Sequence, residues 1–268
     1  MDHLITALQR AKGTANQATA TSPAGTAHTA GPFNYTTTRV VATDPAHLQR
    51  KRVINAATAN QVFDSYRLLR TNILQRMREK NWTTLGVTSP TLNCGKTLTA
   101  INLAISIAME VNQTVLLVDL DLRHPSIHRY FGVQPDVGLS DYIQSQANIN
   151  DILFNPSIER MVVLPGKNPI LNSSETLSSP RMVQLFTELK NRYRDRFIIF
   201  DLPPLLLSDD TLAFSPYTDA FLLVVEDNKT QINDIARARE MLKGANIVGS
   251  VLNKSGKLSV AHSLWKLE

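Results

Sequence analysis

The residues whose types and spacing first suggest chemistry are Asn93, Cys94, Gly95, Lys96 and Thr97, within the stretch SPTLNCGKTLTA from Ser89 to Ala100. Glycine, lysine and a hydroxyl residue at the start of a helix form the second half of the phosphate-binding pattern G-x-x-x-x-G-K-[ST]. In that pattern loop amides cradle phosphates, the lysine reaches the β- and γ-phosphates, and the hydroxyl ligates Mg2+. Lys96 and Thr97 occupy those two places, and Leu98 completes the expected nucleotide-contacting run. Pro90 stands where the first glycine of the pattern belongs. Asn93 belongs to the few residue types that enter positive φ at modest cost, which offsets part of that loss. Cys94 is unusual beside phosphates. G-K-T recurs by chance in many chains, but an apolar strand before it (TTLGVTS) and a helix after it argue against coincidence.

Carboxylates supply the rest of the constellation. VLLVDLDLRHP ends an apolar run with Asp119 and Asp121, followed by Arg123, and FIIFDLPP ends another with Asp201. In a parallel sheet, strand C-termini line the edge where ligands bind, and side-chain alternation puts Asp119 and Asp121 on one side of their strand. One carboxylate can hold a metal or its waters, while another accepts a hydroxyl proton or orients a nucleophile. The metal candidates are therefore Thr97, Asp119 and Asp201, and Lys96, Asp119, Asp121, Asp201 and Arg123 are the candidates for chemistry. Asp is also a common turn former at strand ends, but three such residues accompanying a phosphate loop exceed that explanation.

These groups need a scaffold, and the apolar pattern predicts one. Strand-like runs TTLGVTS, TVLLVDLD, RMVVLPG, RFIIFDLPP, DAFLLVVED and NIVGSVLNK alternate with helical stretches. One helix is expected over 56–80, where Val62, Tyr66, Leu69, Ile73 and Met77 recur at steps of three and four. Others are expected from about Thr97 to Glu110, over SPRMVQLFTELKNRY with Ser179 as its cap and Pro180 in its first turn, and over TQINDIARAREMLK. Short, continuously apolar strands alternating with helices predict an α/β fold with a doubly wound, mostly parallel sheet covered by helices on both faces.

Ahead of this domain, expected over 39–268, residues 1–12 place Leu4, Ile5 and Leu8 on one side of a short amphipathic helix. That segment reads equally as a docking peptide or a frayed terminus. Residues 13–38, rich in Ala, Thr and Gly, predict a flexible linker, because they bury too little apolar surface to offset their ordering entropy. In the full chain of 268 residues, 43% apolar and 19% charged residues are enough for a real core. Its net charge of +5 and pI near 9.4 suggest an acidic partner: nucleotide phosphate, anionic lipid or nucleic acid. The excess is uneven, with nine Lys and Arg against three Asp and Glu from Arg39 to Lys80. The single cysteine excludes a disulfide framework and a multi-cysteine metal site, and with no secretory signal it points to a reducing cytoplasm. No apolar run approaches the roughly 18 residues that span a bilayer, so any membrane connection is expected to run through a partner or a surface contact.

The series SPTLNCGKT, VLLVDLDLRHP and FIIFDLPP resembles the bacterial tyrosine kinases of capsular and exopolysaccharide synthesis, with their Walker A, Walker A′ and Walker B motifs on a P-loop NTPase fold like that of MinD and ParA. DSYRLLRTNI resembles the family's E-x-x-R-x-x-R helix, and VGLSDYI and NSSETLSSPRM also match its pattern. The resemblance covers roughly Arg39 to Lys254 and is strongest to the form whose membrane-spanning activator is a separate chain. It implies ATP and Mg2+ as cofactors and Lys96 and Thr97 as phosphate and metal contacts. It also implies Asp119 and Asp121 as the Walker A′ acids, Asp201 as the Walker B acid, and Arg123 as the arginine that follows the acids. Asn253 is implied at the adenine edge. Asp64, Arg67 and Arg70 are implied as contacts between subunits of a homo-oligomer, with Asp64 replacing the usual Glu. A membrane-spanning polysaccharide co-polymerase, or chain-length regulator, is the implied activator. The expected location is the cytoplasm, peripheral to the inner membrane through that partner, with no nucleic acid partner.

The family's tyrosine-rich tail has no counterpart, since no tyrosine follows Tyr217. Either the phosphoacceptor lies elsewhere, Tyr35 being one candidate, or another protein is the substrate, or the chain is a non-kinase ATP-binding switch or scaffold of the same machinery. A third possibility, a positioning ATPase of the deviant-Walker group, expects a lysine where this chain has Thr91.

Overall fold

The computed structural model describes residues 38–55, 61–192 and 196–256. The expected helix over 1–12 and the linker over 13–38 therefore lie outside the described residues, apart from Thr38. The strands are β1 Arg39–Val40, β2 Thr84–Thr88, β3 Thr114–Asp119, β4 Phe154–Asn155, β5 Met161–Leu164, β6 Arg196–Asp201, β7 Ala220–Glu226 and β8 Ile247–Asn253. They form one eight-stranded sheet in the order β1-β4-β5-β3-β6-β2-β7-β8. Every neighbouring pair is parallel except β4 with β5. The six strands predicted from apolar runs are all present. The two-residue strands β1 and β4 were not anticipated, because runs that short carry no periodicity.

Five longer helices flank the sheet: α1 Pro45–Arg50, α2 Gln61–Glu79, α3 Lys96–Ala108, α4 Pro180–Arg192 and α5 Ile232–Met241. Helix α3 is buried on nearly every side, as expected of KTLTAINLAISIA with no charge after its lysine. Its one amide side chain is put to use. Asn102 accepts the Ile54 N–H at 3.0 Å and donates to the Arg52 carbonyl at 3.1 Å, fastening the 52–54 segment to the core. Helix α2 buries only Leu69, Ile73, Leu74 and Met77, the stripe expected of an amphipathic surface helix. Helix α4 turns Met182, Leu185, Phe186 and Leu189 inward, and Ser179 Oγ accepts the Met182 N–H at 3.4 Å as the predicted cap. In the central strand β2, a Cβ on Gly86 would lie 2.8 Å from Leu202 and 2.9 Å from Phe221, so only glycine fits between these side chains. None of the described helices is long and apolar enough to cross a membrane.

Candidate functional site

Strand order decides which functional groups meet. Because β6 lies between β3 and β2, Asp119 and Asp201 become direct lateral neighbours, and Val87 at the end of β2 pairs with the other side of Asp201. Two carboxylates distant in sequence thus sit side by side on the sheet edge from which the loop into α3 departs.

That loop is held at several points. Ser89 and Pro90 carbonyls accept the Leu205 and Leu206 N–H groups at 2.9 and 3.1 Å, tying the loop to the segment after β6. Asn93 has φ 61° and Gly95 φ 89°, so Asn93 takes the left-handed conformation anticipated for it. From the end of β8, Asn253 Nδ2 donates to the Cys94 carbonyl at 2.8 Å, and Lys254 Nζ donates to the Asn93 carbonyl at 2.6 Å. A Cβ on Gly95 would fall 2.2 Å from Asn253 Nδ2, so glycine is required both for its φ and for this approach. With the carbonyls engaged from below, the first-turn amides of α3, including those of Thr97 and Leu98, have no intrahelical acceptor and form an anion-binding end. The Leu98 side chain packs against the core, so only its backbone is available to a ligand.

The Lys96 ammonium lies within the acid cluster. Its Nζ is 2.7 Å from Asp121 Oδ2, 3.4 Å from Asp201 Oδ1 and 3.4 Å from its neighbour Thr97 Oγ1. Burial opposes the lysine charge, but Asp201 and then Asp121 outweigh it and hold the ammonium above the ordinary lysine value. Asp121 Oδ1 accepts the His124 N–H at 3.2 Å, so both of its oxygens are engaged. Asp119 Oδ2 accepts the N–H groups of Ser126 and Ile127 at 2.8 and 3.0 Å, whereas its Oδ1 is buried without a partner. Burial and then the neighbouring Asp201 charge push the Asp119 carboxyl up to about 8. Burial also raises Asp201, opposed by Lys96 and the Thr97 hydroxyl, and Asp201 Oδ2 has no partner. Two orphaned carboxylate oxygens and a hydroxyl beside one ammonium make a site for a polyanion with a hard cation.

Four of the expected residues have contacts within the chain that the sequence did not show. Cys94 is 1% exposed, with its thiol directed beneath the loop: Sγ lies 3.3 Å from the Thr91 carbonyl and 3.6 Å from Thr230 Oγ1. This residue can therefore serve a ligand only through its backbone, because its side chain fills a gap between the loop and the turn after β7. Arg70 is turned largely inward. Its side chain, 14% exposed, donates to the Ser106 carbonyl at 3.0 Å and pairs with Glu110 at 2.9 Å, bracing α2 against α3. Asp64 and Arg67, at 66% and 57% exposure, remain on the outer face of α2 with a loose mutual contact at 3.8 Å. Arg123 stands just beyond the acid cluster rather than within it: Nε donates to Ser173 Oγ at 2.8 Å, and Nη2 lies 3.7 Å from Asp210. Asn253, expected at an adenine edge, spends its Nδ2 on the phosphate loop.

Asp210 and Ser173 are the site-associated residues that the sequence pattern did not reveal. The S-D-D triplet before the short helix Asp210–Phe214 reads as ordinary helix-start chemistry, and only the fold brings it to Arg123.

The chain is similar to known proteins in sequence and in fold. The AAA domain family model matches residues 93–243. Tyrosine-protein kinase YwqD of Bacillus subtilis is 29% identical over 220 residues, spanning 81% of this chain and 91% of YwqD. The crystal structure of the chimerical protein CapA2B2 superposes with a TM-score of 0.71 at 25% identity, covering 82% of this chain and 94% of that one. The kinase domain of the Escherichia coli tyrosine kinase ETK gives 0.66 at 28% identity, covering 75% and 79%.

Proposed function

The chain belongs to the AAA domain family, in its bacterial tyrosine-kinase branch, and from that premise we propose that it transfers the γ-phosphoryl group of ATP to protein tyrosine in the control of capsule or exopolysaccharide polymerisation and export. The observation that carries this reading is the Lys96 ammonium set 2.7 Å from Asp121 and 3.4 Å from Asp201, at the start of a helix whose first amides face outward. Phosphoryl transfer asks little covalent chemistry of a protein. Positioning and charge neutralisation suffice, and these groups supply both.

Loop amides and Lys96 would hold the β- and γ-phosphates, Lys96 exchanging its contact with Asp121 for phosphate oxygens. Mg2+ fits the donors present, since Thr97 Oγ1 faces Asp201, whose Oδ2 is buried without a partner. Among the described residues no cluster of three or more His, Cys, Asp or Glu could hold a metal. This suits Mg2+, which takes one or two protein ligands and completes its shell with phosphate and water. Bound there, the ion would neutralise charge on the transferred group. Asp119, whose Oδ1 has no partner, would accept the tyrosine proton as the phenol attacks, once the charge of bound Mg2+ has drawn off the proton that burial lets it keep in the free chain. Asp121, released by Lys96 on Oδ2, would be the second candidate for that proton.

With ATP as its substrate, the chain would work on the cytoplasmic side of the membrane. A membrane-spanning co-polymerase would serve as activator, and the exposed Asp64 and Arg67 face of α2 would join it into a homo-oligomer.

The test is incubation of the purified chain with Mg-ATP, with and without the cytoplasmic segment of a candidate activator, followed by mapping of phosphosites by mass spectrometry. Phosphotyrosine that disappears in Lys96→Met establishes the kinase and names its acceptor. Phosphate release without labelled tyrosine would replace this reading with an ATP-driven switch.

A further inference from the structure

Asp210 poses a question that the phosphate loop does not answer. It is fully buried, and neither carboxylate oxygen has a hydrogen bond of good geometry. A carboxylate in such a place is costly, and an apolar side chain of similar volume would fill the space with less penalty. Burial raises its proton affinity, the Ser173 hydroxyl and Arg123 draw it back down, and Asp209 and Asp121 push it up again. Asp210 therefore belongs electrostatically to the edge of the acid cluster.

The groups facing it come from two other loops and converge on one side chain. Ser173, itself fully buried, takes the Nε–H of Arg123 at 2.8 Å, and Arg123 Nη2 lies 3.7 Å from Asp210 Oδ1. Nε and Nη2 form one edge of the planar guanidinium, so the pair of contacts fixes its rotation as well as its position. A further backbone bond, from the Ile170 N–H to the Leu122 carbonyl at 2.8 Å, ties the Ser173 loop to the strand end that carries Arg123. The arginine is nonetheless 42% exposed and stands two residues beyond Asp121. A guanidinium gripped along one edge keeps Nη1 for an oxygen of a bound substrate.

We propose that Asp210, assisted by Ser173, is a positioning residue that locks the Arg123 guanidinium at the mouth of the acid cluster, where Arg123 meets the charge developing on the transferred phosphoryl group. This rests on the phosphoryl-transfer reading. Lys96 is drawn to the acids on the floor of the site, while Arg123 is reserved for the transition state by an anchor outside it. Charge that strengthens in the transition state is where a preorganised donor accelerates the reaction.

The experiment is a double-mutant cycle on the purified full chain. Mg-ATP turnover gives kcat and KM, a fluorescent ATP analogue gives nucleotide affinity, and thermal unfolding controls for folding. Asp210→Asn and Ser173→Ala should each lower kcat about tenfold or more with KM and analogue affinity within about twofold, and Arg123→Ala should do the same. Adding Asp210→Asn to Arg123→Ala should change kcat by less than about twofold, because the anchor has nothing left to hold. Ser173→Ala keeps the question open to refutation if Asp210→Asn folds poorly. Losses that multiply in the double variant, or a Tm change with kcat untouched, overturn the anchoring role alone. Wild-type turnover no greater than that of Lys96→Met overturns the phosphoryl-transfer reading, and the anchoring role with it.

Discussion

Replacing Asp119 by asparagine should stabilise the fold by an amount that grows with pH, and the size of the gain follows from the carboxylate's surroundings. Asp119 is fully buried, accepts two backbone N–H groups on Oδ2 and leaves Oδ1 without a partner. Burial, then Asp201, lifts its pKa from 3.8 to about 8. Below the lower value both folded and unfolded chains hold the proton, and above the upper value neither does. Between them the folded chain holds a proton that the unfolded chain has released, so wild-type stability falls as pH rises through this window. At about 1.4 kcal/mol per pH unit the window bounds the effect at roughly 5–6 kcal/mol, and sharing of charge with Asp201 and Lys96 should leave about half. Asparagine has no such proton to lose, and its carbonyl oxygen can accept the same two amides. Urea unfolding of Asp119→Asn and wild type, in buffer free of Mg2+ and nucleotide, should show their stability difference moving in favour of the variant by about 1–3 kcal/mol between pH 5 and pH 7.5. Phosphoryl transfer should be lost at the same time. A difference that stays flat over that range, or grows toward acid, would refute the buried-proton argument.

Three other outcomes are expected. Gly95→Ala should weaken nucleotide affinity and cost about 1–2 kcal/mol of stability, since the residue has φ 89° and its Cβ would strike Asn253; equilibrium binding and urea unfolding read both, and unchanged affinity would contradict the loop's placement. Cys94, buried under the loop, should react with a thiol reagent only as fast as the loop opens, so rapid stoichiometric labelling of the native chain would show the thiol to be misplaced. Arg70→Ala should cost about 2 kcal/mol by stripping the brace on Ser106 and Glu110 while leaving the sedimenting mass unchanged, whereas Arg67→Ala should lower that mass. The opposite pattern would return Arg70 to the subunit interface.

Much of the scaffold was legible in the chain because its signals are local. Continuous apolar runs mark β2, β3, β5, β6, β7 and β8, and the three-four spacing of Leu69, Ile73 and Met77 marks the buried stripe of α2. The strands of two residues, β1 and β4, are too short to carry a period, and the antiparallel pairing of β4 with β5 depends on contacts rather than composition. Side-chain direction was the other blind spot. Cys94 and Arg70 lie in segments whose backbone was correctly anticipated, but nothing local shows that one thiol turns inward or that one arginine of α2 reaches α3.

The sequence by itself determined the chemistry available: a glycine-lysine-threonine helix start, an asparagine able to adopt positive φ, and aspartates at two strand ends. Those are properties of residue type and near-neighbour spacing, which the backbone reads over a few residues. Tertiary structure alone decided which groups meet. Inserting β6 between β3 and β2 makes Asp119 and Asp201 lateral neighbours around Lys96, and bringing the 173 and 210 loops to the end of β3 gives Arg123 its anchor. Strand order and loop convergence depend on burying apolar faces over the whole chain, and no local pattern encodes that outcome.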